Sequence, residues 1–302
     1  MARKCQVPGR NFCAPNGKIA ALFVDIDGTI SVCEPYFEEA KLRFGYFMEL
    51  RGFGRAKAVK LVREIELAYV EKHGFERDAL ATAMVGAYRQ LAKEHGKRTN
   101  KFDRGICEDI GRSPFFREPE LFANAAAVLG RSHHNFRIIA VSIGNREAQK
   151  YKIRQAGLAT VFDDMIITQR DDKAGLVKAA IEDYGIDPRY SAFIGNSIRS
   201  DGACLRETNF MHLPMEPGWA FDKAALPKDT GFQAFQMKDW REVEERGINR
   251  LLRRRQTALE SEGSHKCGEH AQVTPKPGQR VNPKPGAKAR AGKASRNKQR
   301  GR

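Results

Sequence analysis

Five consecutive residues, Asp25-Ile26-Asp27-Gly28-Thr29, set two carboxylates two positions apart directly behind an apolar run, Ile19 to Val24. If that run is a buried strand and the chain breaks into a loop at Asp25, both carboxylates can face one crevice. Gly28 permits the sharp backbone path this requires, and Thr29 brings a hydroxyl that can tie the loop by a local bond. A carboxylate held in this way can attack phosphorus, provided the phosphate's charge is offset and the attacker is oriented. Mg²⁺, a hard cation that takes oxygen ligands, is the expected counter-charge. The second carboxylate can protonate a departing alkoxide and afterwards activate a water. The chemistry expected of this pair is phosphate-monoester hydrolysis, with Asp25 as nucleophile and Asp27 as acid and base.

Such a loop has to be carried by a sheet. IAALFVDI (19–26), FRIIAVS (136–142), DMIIT (164–168) and SAFIG (191–195) are short, nearly continuous apolar runs, as strands of a parallel sheet covered on both faces should be. Between them NREAQKYKIRQAG (145–157) and KAGLVKAAIEDYG (173–185) carry helical patterns that stop at glycine. The alternation predicts an α/β fold, a Rossmann-like doubly wound parallel sheet with helices on both faces. From about Ser31 to Phe116 no strand-like run occurs. Three amphipathic segments, PYFEEAKLRFGYFMEL, RAKAVKLVREIELAYVEK and RDALATAMVGAYRQLAKEH, predict a helical insert above the carboxyl edge of the sheet, where open α/β folds place their sites. The expected organisation is an N-terminal extension (1–16), a core (17–30 and 117–260), a helical cap (31–116) and a tail (261–302).

The chain of 302 residues carries a net charge of +16. From Gly263 to Arg302 there are eleven Lys or Arg and one acid, Glu269, so ten of those charges belong to the tail. The tail repeats TPKPG (274–278) and NPKPG (282–286), lacks aromatics, and is too poor in apolar residues to offset the cost of ordering it, so disorder is expected. A flexible basic segment of this kind can bind polyanions, nucleic acid included, without sequence preference. No run is long enough to span a membrane. The basic N-terminal residues have no apolar stretch after them, so no secretory leader is expected. Cys5, Cys13, Cys33, Cys107, Cys204 and Cys267 are scattered without metal-site spacing, which points to a reducing, cytoplasmic setting.

In these motifs the sequence resembles the haloacid dehalogenase superfamily, specifically its phosphatases with a helical cap inserted after the first motif. Besides the D-x-D-G-T segment, Ser142, Gln149, Lys152-Ile153, Gly157-Leu158 and Phe162-Asp163 fall in the family's register without gaps. The resemblance, which covers about residues 17 to 240, implies that Ser142 and the amide of Ile143 bind the transferring phosphoryl group, with Thr29 in the same phosphate-binding set. It implies that Lys173 offsets the charge gathered around nucleophile, phosphate and metal, although the frequent Lys-Pro pair is absent and Lys178 lies nearby. It also implies a magnesium site formed by Asp25, the carbonyl of Asp27 and the segment Ile194-Gly195-Asn196-Ser197-Ile198-Arg199-Ser200-Asp201, in which Asp201 supports through water or through bonds to ligands. Asn196 stands where the family usually has Asp. An amide carbonyl remains a competent ligand for Mg²⁺ but adds no negative charge, so weaker metal binding is expected.

Two other classes of function compete with a phosphatase of small phosphorylated metabolites. One is a binding or regulatory module with a retired catalytic core, acting through its basic tail. Against it stands the intact Asp25/Asp27 pair. The other keeps an enzyme but changes the reaction, to a phosphomutase or a carbon–halogen hydrolase. Asp27 opposes the latter, because a halide leaving group needs no proton. The aromatics of the first insert helix, Tyr36, Phe37, Phe44, Tyr46 and Phe47, are expected mostly in the cap's own core. Trp219 and Phe221 are expected at the edge of the main core, and His133 and His134 in solvent.

Overall fold

The computed structural model describes residues 9–216 and 224–262 in full, and the backbone alone of 6–7 and 263–269. Two short strands, β1 (Gln6–Val7) and β2 (Arg10–Asn11), pair antiparallel ahead of the main sheet. The four apolar runs become β3 (Ala21–Val24), β4 (Arg137–Ile143), β5 (Asp164–Thr168) and β6 (Ala192–Gly195). Two further strands, β7 (Asn209–His212) and β8 (Ala234–Gln236), complete a six-stranded sheet in the order β5-β4-β3-β6-β7-β8. Every neighbouring pair is parallel.

Period-two alternation divides the strand residues between two cores. Leu22 and Val24 of β3 join Ile138, Ala140, Ala192 and Ile194 on one face. Ala21 and Phe23 join Ile139, Val141 and Phe193 on the other. The first face is covered by α5 (Ala125–Ser132) and by Ile153 of α6 (Arg146–Gln155). It is closed by α8 (Trp240–Glu242), a π-turn (Val243–Ile248) and the start of α9 (Asn249–Glu269). The second is covered by α7 (Lys173–Tyr184). This arrangement is the expected α/β fold with a parallel sheet between helical layers.

Between β3 and β4 the chain forms α1 (Glu34–Leu50), α2 (Arg55–His73), α3 (Ala79–Glu94) and α4 (Lys101–Arg112), packed about Phe44, Met48, Leu61, Val62, Leu80, Met84 and Leu91. Three of the four helices match the amphipathic segments. The fourth, α4, is capped by Asn100, whose side chain accepts from the Asp103 amide at 2.7 Å. Of the α1 aromatics, Phe44 is wholly buried and Phe37 and Phe47 pack against the cluster, whereas Tyr46 is 54% exposed.

The residues expected as an N-terminal extension contribute to the core. Phe12 and Ala14 are buried, and Arg10 forms an ion pair with Asp163 while donating to the carbonyls of His133 and Phe136. His133 is partly buried, its Nε2 3.7 Å from Asp163, whereas His134 is exposed as expected. Of the tail expected from residue 261, the first residues continue α9 as far as Glu269. Its remainder lies outside the described residues, as do Trp219 and Phe221. Among the described residues no helix is long and apolar enough to cross a membrane.

Candidate active site

β3 ends at Val24 and delivers Asp25 to the carboxyl edge of the sheet. The following loop is tight. Gly28 donates its amide to the Ser31 carbonyl at 2.9 Å, and Ile26 O accepts from both Ile30 and Ser31 at 3.0 Å. Gly28 has φ +73, and a Cβ there would stand 2.3 Å from Asn196 Nδ2, so the position accepts only glycine. Thr29 is fully buried, with its hydroxyl 3.4 Å from Asp25 Oδ2 and 3.3 Å from Asn196 Oδ1. It does not line the cavity described below. The phosphate-binding assignment of Thr29 is therefore corrected: its hydroxyl is spent positioning two acceptors.

Lys173, the first residue of α7, is buried and divides its ammonium between Asp25 Oδ1 and Asp201 Oδ1, both at 2.6 Å. Lys178, one turn and a half further on, is exposed. Burial raises Asp25 to about 7; Lys173 opposes this and the neighbouring Asp201 charge adds to it. A single ammonium shared by two buried carboxylates cannot satisfy both, which leaves Asp25 short of positive charge. Asp201 is entirely enclosed. Beyond Lys173 it accepts from Ser200 Oγ at 3.2 Å and from the Ser197 amide at 3.0 Å. A Cβ on Gly195 would meet Asp201 Oδ2 at 2.3 Å. With its oxygens so engaged, Asp201 positions Lys173 and the Ser197 turn.

Asp27 is held from α6. Gln149 Nε2 donates to its Oδ2 at 2.6 Å, and Lys152 forms an ion pair with its Oδ1. Burial pushes the Asp27 carboxyl up, but Lys152 and Gln149 together outweigh it and hold the group below its ordinary value. Ser142 and Ile143, at the end of β4, line the cavity beside this pair. The Ser142 hydroxyl is buried without a hydrogen-bond partner. An orphaned buried hydroxyl is costly, and one that faces a cavity is ready for a polar ligand.

Asn196 follows β6, and its carbonyl oxygen lies 2.9 Å from His212 Nε2. Asp25 and Asn196 thus present a carboxylate and an amide oxygen around one hydroxyl, that of Thr29, with the Asp27 main chain adjoining in sequence. These are hard oxygen donors and they fit Mg²⁺. Among the described residues no trio of His, Cys, Asp or Glu forms a metal-sized cluster, so the amide and the main chain are integral to any such donor set.

A cavity of about 220 Å³ opens over these groups, floored by Asp25, Asp27, Ser142, Lys173 and Asn196 and roofed by α1, α2, α3 and the 3₁₀ turn Ser113–Phe116. The roof is tied to the floor by Glu216, whose carboxylate accepts from the amides of Cys33 at 2.8 Å and Glu34 at 3.1 Å. Glu216 therefore caps α1, whose own N-cap side chain makes no such bond. The roles of Glu216, Gln149 and Lys152 were not foreseen from sequence. The spacing of Gln149 and Lys152, three apart on one helix, was the available signal.

Comparison with known proteins agrees with this geometry. Residues 19–207 match the model of the haloacid dehalogenase-like hydrolases. No curated protein matches the chain. Among solved structures, a haloacid dehalogenase-like family hydrolase from Xanthomonas campestris superposes with a TM-score of 0.64 at 16% identity, covering 83% of this chain and 99% of its own. The putative hydrolase YfnB from Bacillus subtilis, bound to magnesium, gives 0.51 at 18% identity over 76% and 98%. A predicted phosphoglycolate phosphatase from Haemophilus somnus gives 0.50 at 14% identity over 74% and 95%. At these identities the likeness is one of fold, while the sequence match spans more than half of the chain: it belongs to the haloacid dehalogenase-like hydrolases.

Proposed function

We propose that the protein is a magnesium-dependent phosphatase that hydrolyses phosphate monoesters of small metabolites through an aspartyl-phosphate. The observation that carries this reading is the convergence on one cavity of Asp25, Asp27, the Lys173 ammonium and the unpartnered Ser142 hydroxyl. A carboxylate oxygen of Asp25 forms a bond to phosphorus as the bond from phosphorus to the ester oxygen breaks. Asp27 gives that oxygen the proton it carries in its reacting form, the minor form under the hold of Lys152 and Gln149, so the alcohol leaves neutral. Asp27, now a carboxylate, takes a proton from a water that attacks the phosphorus of the aspartyl-phosphate, freeing Asp25 and inorganic phosphate. Ser142 Oγ and the Ile143 amide bind the equatorial oxygens, and Lys173 offsets their charge. Asp25, Asn196 Oδ1 and the Asp27 carbonyl would hold Mg²⁺, which when bound supplies further charge neutralisation at the phosphoryl group.

Asp27 favours phosphoryl transfer over carbon–halogen cleavage, since a departing halide requires no acid. The magnesium bound to YfnB supports the choice of metal. Cys33, Cys107 and Cys204 are free thiols, which supports a cytoplasmic site of action. The test is a panel of phosphorylated metabolites assayed with Mg²⁺, wild type beside Asp25→Asn. Turnover lost in the variant supports the reading, and equal turnover in both removes the proposed nucleophile.

A further inference from the structure

The roof of the cavity differs in character from its floor. Its apolar side chains are Phe37, Val70, Phe75, Ala79, Leu80 and Phe115, and its charged ones Glu34, Glu66, Glu76 and Arg77. Phe37 and Phe115 meet edge to face, with ring centroids 5.5 Å apart. Val70 and Leu80 are buried. The carboxylates that reach the roof are already engaged. Glu66 forms an ion pair with Lys41 at 3.1 Å, both side chains only 5% exposed, and Glu76 accepts from the Tyr69 hydroxyl at 2.6 Å. Arg77 lies over the rings of Phe115 and Phe116, at 6.0 and 5.3 Å from their centroids. Between these engaged groups the roof is apolar, whereas the floor carries Asp25, Asp27, Ser142, Lys173 and Asn196.

We infer that the alcohol released from the phosphate ester is predominantly apolar, an aryl- or alkyl-bearing alcohol and not a polyol or hydroxy acid. This inference rests on the phosphatase reading above and names the substrate class of the same site. The physical ground is asymmetric. An apolar leaving group gains from every contact with the two phenyl rings and the aliphatic side chains. The hydroxyls of a polyol would leave water for a wall whose carboxylates are committed elsewhere, and each unpaired hydroxyl costs binding. The Glu66–Lys41 pair adds to this, because breaking it to serve a substrate hydroxyl would strand a buried charge.

The test compares 3-phenylpropyl phosphate with 2,3-dihydroxypropyl phosphate and phosphoglycolate, with p-nitrophenyl phosphate as a reporter of the reaction itself. The kcat/KM for the phenylpropyl ester should exceed those of the two polar esters by at least tenfold. Phe115→Ala should lower the phenylpropyl-to-dihydroxypropyl ratio at least fivefold. Because that readout is a ratio within one preparation, partial loss of folded protein does not alter it, and Phe37→Ala provides a second, separate measurement. A ratio near one in wild type, or one that neither variant moves, overturns the substrate class while leaving the phosphatase standing. Failure to turn over any ester, p-nitrophenyl phosphate included, overturns the reaction and the substrate class with it.

Discussion

The indole N–H of Trp240 donates to the carbonyl oxygen of Thr29 at 2.9 Å, across 211 residues of sequence. Trp240 is fully buried, and the side chain of the same Thr29 stands between Asp25 and Asn196. The C-terminal helical segment thereby fixes the loop that carries the proposed nucleophile. Trp240→Phe keeps an aromatic ring and removes the donor, leaving a buried carbonyl unpaired. The expected cost is about 1–2 kcal/mol in urea unfolding, accompanied by a lower kcat. Unchanged stability would mean that water or a shifted neighbour replaces the bond.

Lys152 and Gln149 decide the state in which Asp27 waits. With Lys152→Met the charge that holds the Asp27 carboxyl down is lost, and burial, which pushes it up, prevails. The basic limb of kcat/KM, which reports loss of the proton that Asp27 must donate, should move to higher pH. A basic limb that stays in place would show that Asp27 is not the group it reports.

Asn196→Asp exchanges a neutral oxygen ligand for a charged one. The Mg²⁺ concentration for half-maximal activity should fall severalfold in a direct titration. If the titration curve does not move, Asn196 is not a ligand and the donor set must be drawn elsewhere.

Arg10 ties β2 to the end of the α6–β5 connection through Asp163. Burial would raise the Asp163 carboxyl, but the Arg10 bonds and the Ile138 amide hold it below its ordinary value. Its stabilising contribution is therefore complete above the unfolded carboxylate range and is lost as pH falls through the lower folded value. After solvent screening the contribution is on the order of 1 kcal/mol. Urea midpoints measured from pH 7 to pH 3 should fall less steeply for Asp163→Asn than for wild type. Parallel curves would assign the acid sensitivity to other carboxylates.

Removal of residues 263–302 takes away ten net positive charges and none of the proposed catalytic groups. Turnover of a small ester should persist, while affinity for a polyanion such as heparin at low salt should largely vanish. Turnover lost from a truncated protein that remains folded would mean that the tail takes part in the site.

The fold was legible where burial on both faces imposes a continuous apolar run, as in β3, β4, β5 and β6. It was not legible in β7, where Asn209 and His212 flank only two apolar residues, or in β8, whose three residues lie at the sheet edge. In the site, the positions of Asp25 and Lys173 could be read because each adjoins an element with a clear pattern. The Asp27 partners could not, since they depend on the rotation of α6 over the loop, which periodicity does not specify. Likewise the partners of Asp201, namely Lys173, Ser200 and the Ser197 amide, could not be read, because they depend on how α7 meets the turn after β6.

The position of β3 at the middle of the sheet, between strands that follow it far along the chain, also orders events in time. As the polypeptide is synthesised, α1 to α4 emerge next and can form on short-range contacts, while the strand behind Asp25 has no partner. Its first neighbour, β4, arrives only after the entire helical insert. The Ser191 hydroxyl that accepts from the Ala21 amide lies 170 residues downstream, and Trp240 later still. A nascent chain therefore carries Asp25 long before it carries the contacts that position it. The Asp25–Thr29 loop is expected to reach its final form only once synthesis has passed Trp240, whose indole holds the Thr29 carbonyl.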